Sequence, residues 1–132
     1  MATPYELIVG KDQDLKSKIN EFMLEKGWES AYISGAIGSI RDFRLTTPTS
    51  MEFPPTAVAI PCMGPGEVLS FTGEIMKREL MDPALQKVYT EQGPLFVHIH
   101  ASVATAGGHV YGGGFQGGIA FRSVKIYLWQ MK

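Results

Sequence analysis

Cysteine occurs once, at Cys62, which excludes an internal disulfide and any zinc site built on several thiolates. Cationic excess is also missing: 12 Lys and Arg stand against 13 Asp and Glu, a formal charge of -1, whereas tight DNA binding draws on uncompensated cations that release counterions. A nucleic-acid partner is therefore disfavoured by charge. Gly, Pro and His interrupt the uncharged runs before any could span a membrane, and no basic and apolar leader opens the chain. The expectation is a soluble, cytosolic protein with no membrane partner. The glycine-containing run at 34–39 lacks both the lysine of a P-loop and the spacing of a dinucleotide fingerprint, so phosphate binding is not expected there. Ser102, Thr105 and Cys62 sit in no nucleophile elbow or activating motif, which argues against covalent catalysis.

What is present is ordinary globular composition, 45% hydrophobic and 19% charged over 132 residues, enough for a single domain spanning 1–132 with a real core. The chain is organised around residues 94–115, PLFVHIHASVATAGGHVYGGGF, an apolar run with two histidines, a bend and a glycine-dense return. Side chains alternate across a strand, so His98 and His100 share one face while Val97, Ile99 and Ala101 share the other. Imidazole is the commonest metal ligand and also a proton shuttle, which makes this pair the best chemical lead. The competing reading is two strand histidines making ordinary hydrogen bonds at a subunit contact.

In chain order, residues 5–9 read as a strand ending at Gly10, with Asp12 or Asp14 available to cap a following helix. Leu15, Ile19, Phe22 and Met23 fall at helical spacing, and Gly27 ends the helix. A strand is expected over 28–33, broken by the small residues at 34–39, with a further strand over 40–45; the glycines between suggest a bulge or a close backbone approach. Residues 46–55 read as an exposed loop, 56–60 as a short strand, 63–66 as a turn and 68–75 as a strand. In that last strand Ser70, Thr72 and Glu74 form one polar side opposite Leu69 and Phe71. Asp82-Pro83, with Leu85, Val88 and Tyr89 at helical spacing, predicts a short second helix within 76–92. Residues 119–131 close the chain as a strand in which Val124, Ile126 and Leu128 alternate with polar and aromatic side chains.

The order of these signals resembles the plants-and-prokaryotes-conserved (PPC) domain, known as stand-alone prokaryotic proteins and as the C-terminal domain of plant AT-hook proteins. The resemblance covers nearly the whole chain. It rests on SGAIGS at 34–39, EVLSFTGEI at 67–75, PLFVHIHAS at 94–102 and VYGG at 110–113. It implies an α+β domain with a largely antiparallel sheet, assembled as a homotrimer, in which Trp129 and Phe115 would be buried only in the assembly. The family label is DNA-binding or transcription-associated, but this chain lacks the Arg-Gly-Arg core that contacts DNA in the plant proteins. The family's histidine cluster has a third member directly after the Gly-Gly pair, where this chain has Gly114. Residues 76–93 are also longer than the family's tight hairpin, so an extra element covers or reshapes the histidine face.

The candidate pocket is therefore His98 and His100 with Gly112, Gly113 and Gly114 as the adjacent wall. His98 and His100 are also the candidate ligands for zinc or another divalent transition metal. A catalytic zinc takes three protein ligands, so the third would come from His109, Glu74 or a neighbouring subunit. Three functional classes follow: an oligomeric binding or assembly module for an unidentified small-molecule ligand, which leads; a DNA-associated regulator; and a metal-dependent enzyme with its site at a subunit boundary.

Overall fold

The computed structural model describes residues 2–89 and 93–132. It contains one α-helix, α1 (Leu15–Lys26), and six strands: β1 (Tyr5–Gly10), β2 (Ser30–Pro48), β3 (Ala57–Cys62), β4 (Gly66–Lys77), β5 (Leu95–Thr105) and β6 (His109–Gln130). The strands form one antiparallel sheet in the order β1-β6-β5-β4-β2-β3. Because β2 also pairs with β6, the ladder β2-β6-β5-β4 returns to its start. Closure of this kind pairs backbone groups that an open edge would leave unmade.

The helix forms where its caps and apolar stripe place it. The Asp14 carboxylate accepts the Ser17 N–H at 2.9 Å, and Gly27, in the left-handed conformation at φ 68°, donates its N–H to the Met23 and Leu24 carbonyls. Leu15, Ile19 and Met23 are fully buried against the sheet. At the end of the helix the rings of Tyr5, Phe22 and Trp28 meet edge to face, with centroids 4.9 to 6.3 Å apart. Inside the closed ladder lie Ile33, Ile40, Phe71, Ile99, Val124 and Ile126, all at most 2% exposed. Burying each such side chain is worth about 1.5–3 kcal/mol. This inward face therefore sets the register of the strands.

Several expectations are corrected. Residues 34–39 do not break a strand: β2 runs without interruption from Ser30 to Pro48, and register shifts at Ile33/Gly35 and Gly38/Ile40 absorb the small residues as bulges. Leu69 does not share the inward side with Phe71, because a further shift between Val68 and Ser70 turns it outward, 57% exposed. The second helix is reduced to single 3-10 turns at Arg78–Leu80 and Leu85–Lys87. Asp82 accepts the Ala84 N–H at 2.9 Å in a turn just before the second of these, but the N-cap residue is Ala84 and no side chain caps it, and one turn is too short to offset the cost of nucleating a helix. Residues 90–92 of the expected helix lie outside the described residues. Phe115 is already 2% exposed in the single chain, packed edge-on to Phe71 at 5.2 Å, so its burial needs no assembly.

Asp12 and Asp42, both at positive φ, converge on Arg41 and tie the start of α1 to the turn in β2. The hydrogen bonds that the Arg41 guanidinium donates to the carboxylates of Asp42 and Asp12 raise its pKa above the ordinary value.

The seam between β2 and β6 depends on Gly38. Its φ is 148°, and an added Cβ would meet the Ser123 carbonyl oxygen and lie 2.7 Å from Val124 Cα. Gly38→Ala is expected to lower stability by about 1–3 kcal/mol, read as a shifted chemical-denaturation midpoint. An unchanged midpoint would mean that the two strands can separate at this point at little cost.

Candidate functional site

The β4-β5 register builds a polar ladder on the outer face. Ser70 lies opposite Ser102, Thr72 opposite His100 and Glu74 opposite His98. The two serine hydroxyls are 2.6 Å apart. His98 and His100 do share a face, with ring centroids 5.1 Å apart and planes at 81°. The same two-residue period turns Ile99 and Ala101 into the core.

Each ring nitrogen of His98 has a polar neighbour. Glu74 Oε1 lies 3.7 Å from Nδ1, and the Tyr89 hydroxyl lies 3.2 Å from Nε2. A carboxylate on the Nδ1 side favours the Nδ1–H tautomer, so Nε2 accepts the phenolic proton. The side chain of His98 is 25% exposed and that of Glu74 is 50% exposed. The Tyr89 ring also packs against Phe96, with centroids 5.1 Å apart, so the connection between β4 and β5 lays an aromatic side chain over the histidine face. That position answers the expectation of a covering element.

Beside the pair opens a cavity of about 560 Å³, to which β2, β5, β6 and the turn before β5 contribute Thr46, Val88, Tyr89, His98, His100 and Gln116. Its volume lies in the usual range for small-molecule sites. A second depression, about 530 Å³ around Arg122 and Glu67 at the far end of the sheet, holds no histidine. Of the glycines proposed as a wall, Gly114 faces His100 across the β5-β6 ladder and lines the cavity, and Gly113 lines a smaller depression that His100 shares. Gly112 lies opposite Ser102, outside both linings. His109 pairs with Thr105, five residues along β5 from His100, which is roughly 17 Å away and on the other face of the strand.

A metal does not fit the chain taken alone. Among the described residues no group of three His, Cys, Asp or Glu side chains is placed to hold an ion, and the Nε2 of His98 is occupied by Tyr89. Tyr89, Thr46 and Gln116 were not legible as site residues, since each comes from a different segment. Glu74 was legible as one of three alternative third ligands, and the polar alternation of its strand was the signal.

The model of the Plants and Prokaryotes Conserved (PCC, also PPC) domain matches residues 1–132. This chain belongs to that family. Among solved structures, a PPC protein of Pyrococcus horikoshii is 25% identical with a TM-score of 0.77, the alignment covering 99% of this chain and 80% of that one. A metal-containing protein of Archaeoglobus fulgidus is 28% identical with a TM-score of 0.73, covering 96% and 79%. A candidate DNA-binding protein of Bacteroides thetaiotaomicron shares the fold at 17% identity and a TM-score of 0.74, covering 100% and 81%. No curated protein matches the chain. The fold expected of a PPC domain, α+β with one N-terminal helix and an antiparallel sheet, is the fold observed.

The two glycines nearest His100 differ in what they tolerate. An added Cβ at Gly113, where φ is 154°, would lie 2.6 Å from the Thr46 carbonyl oxygen, whereas one at Gly114 would lie 3.2 Å from the Thr46 hydroxyl, which can rotate away. Gly113→Ala is expected to cost about 1–3 kcal/mol and Gly114→Ala less than about 1 kcal/mol by chemical denaturation. The reverse order would show the wall of the site to be misplaced.

Proposed function

We propose that this PPC domain is an oligomeric binding module whose ligand site is the His98–His100 face. The observation that carries this reading is the convergence of both imidazoles on the mouth of a cavity that elements distant in sequence enclose. A binding role is favoured over covalent catalysis because Cys62 is on β3, and Ser102 pairs with Ser70 rather than with a base. A DNA-associated role has the support of the Bacteroides neighbour, a likeness of fold alone. The formal charge of -1 supplies no field for it.

Assembly as a homotrimer is part of the proposal. On the outer face of β1, β6 and β2, Ile8 and Ile37 flank Lys125 in one cross-strand row, 59% and 68% exposed. Exposed apolar side chains on a sheet face are suited to contact between copies. Sedimentation equilibrium at micromolar concentration is expected to return three times the 14.5 kDa chain mass, and Ile37→Lys is expected to reduce it. A monomer for the unaltered chain would remove the trimer.

A second reading, a transition-metal half-site completed by a neighbouring copy, has the support of the metal-containing Archaeoglobus relative. His98 and His100 would then be two of the ligands. Zinc titration followed at the histidine ring resonances is expected to move His98 and His100 and to leave His109 unmoved. His98→Ala or His100→Ala should weaken the affinity. Gly114→His should raise it by more than about tenfold, the scale on which even outer-shell contacts alter metal affinity. Zinc that moves only His109, or nothing, would exclude this second reading.

A further inference from the structure

Resting on the reading of the His98–His100 face as a ligand site, we infer that the ligand is a small planar ring compound carrying a carboxylate, gripped by the donors of His100 and Thr46. Four observations lead there. Among the described residues, the lining of the 560 Å³ cavity includes no Lys, Arg, Asp or Glu, so these residues offer neither a fixed cation nor a carboxylate to receive an amine. Gln116 Nε2 donates to Thr46 Oγ1 at 3.2 Å, which uses the acceptor side of that hydroxyl and leaves its proton to point elsewhere.

His98 is hydrogen-bonded at Nε2 to Tyr89, and the Glu74 carboxylate lies 3.7 Å from its Nδ1. His100 makes no hydrogen bond or ion pair among the described residues, although it lines this cavity and both adjoining depressions. Its ring N–H and the Thr46 O–H are therefore donors open to a ligand, alongside the Thr47 hydroxyl and the second Gln116 N–H that line the same cavity, and a lining rich in donors favours an acceptor, best of all an ionised one.

The rest of the cavity fits a flat body. Pro48, Pro55, Val88 and Phe115 give apolar walls, and the Tyr89 ring, fixed through its hydroxyl to His98 and through its face to Phe96, gives an aromatic one. Gly114 keeps the approach to Thr46 open, since a side chain there would press on the hydroxyl. Tyr89 thus acts as a positioning residue, holding both a wall of the cavity and the orientation of His98.

The test uses the full chain and three probes of similar size, followed at the histidine ring resonances: benzoate, benzylamine and toluene. Benzoate is expected to move His100 and to bind at least about tenfold tighter than either competitor, the effect of one charge-assisted hydrogen bond. Thr46→Val should weaken benzoate about tenfold while leaving toluene unchanged. Tyr89→Phe should retain most of the affinity and Tyr89→Ala should lose it. Circular dichroism of each variant checks that it is folded, and His100→Asn, at an exposed position, serves where another variant fails to fold.

Benzylamine or toluene binding as tightly as benzoate, or benzoate unaffected by Thr46→Val and His100→Asn, would overturn the carboxylate while leaving the site standing. Zinc moving both histidines when benzoate moves neither would also overturn the carboxylate, in favour of the metal reading. If no probe and no zinc moves His98 or His100, the ligand site itself falls, and this inference falls with it.

Discussion

The pairing of β2 with β6 is the constraint on which the rest of the molecule depends. β6 carries β1 and β5 on its other side, and β2 carries β4 and β3, so this one ladder turns a meander into a closed sheet. It can close only because the backbones pass at Gly38 where a side chain would collide with Ser123 and Val124. Without the seam, the β4-β5 pair would still present its histidines and β6 would still bring Gly114 opposite His100, but Thr46 would not meet them and the cavity would lose its β2 wall.

The outward position of the histidines is a consequence of what lies beneath them. Cross-strand polar pairs such as Glu74–His98 contribute about 0.2–1 kcal/mol each, whereas each buried neighbour on the opposite face, Phe71, Ile75 or Ile99, contributes about 1.5–3 kcal/mol. The core therefore fixes the register, and the polar ladder follows from it. A slip of one residue would bury both imidazoles and expose Ile99, exchanging a favourable transfer for two desolvated polar rings. This coupling gives the site a base set by the core, over which the turn that carries Tyr89 is laid.

In the PPC family background, the chemistry of this face is set as much by what is missing as by what is present. Glycine at position 114 leaves room where a ligand side chain would project, and the space is bordered by a hydroxyl and an amide, which are hydrogen-bonding groups rather than strong metal donors. Tyr89 takes the remaining nitrogen of His98. The fold determines that the two histidines stand side by side, and the side chains around them determine what they can bind.

Local rules determined a good part of this protein. The helix over 15–26 was legible from an Asp12 or Asp14 cap, which the structure resolves to Asp14, and from its Leu15, Ile19 and Met23 stripe and Gly27, because each of these acts within a turn of chain. The shared face of His98 and His100 was legible for the same reason, as strand alternation is a property of the backbone alone. Long-range register decided the rest. The continuity of β2 through 34–39, the outward turn of Leu69 and the burial of Phe115 beside Phe71 all depend on which strand lies opposite. So do the meeting of Glu74 with His98, the hydrogen bond from Tyr89 and the placement of Thr46 and Gln116 at one cavity, since these contacts join residues up to 70 positions apart. A side chain's face is written in its own few neighbours, but its partner is chosen only when the core closes and the sheet comes into register.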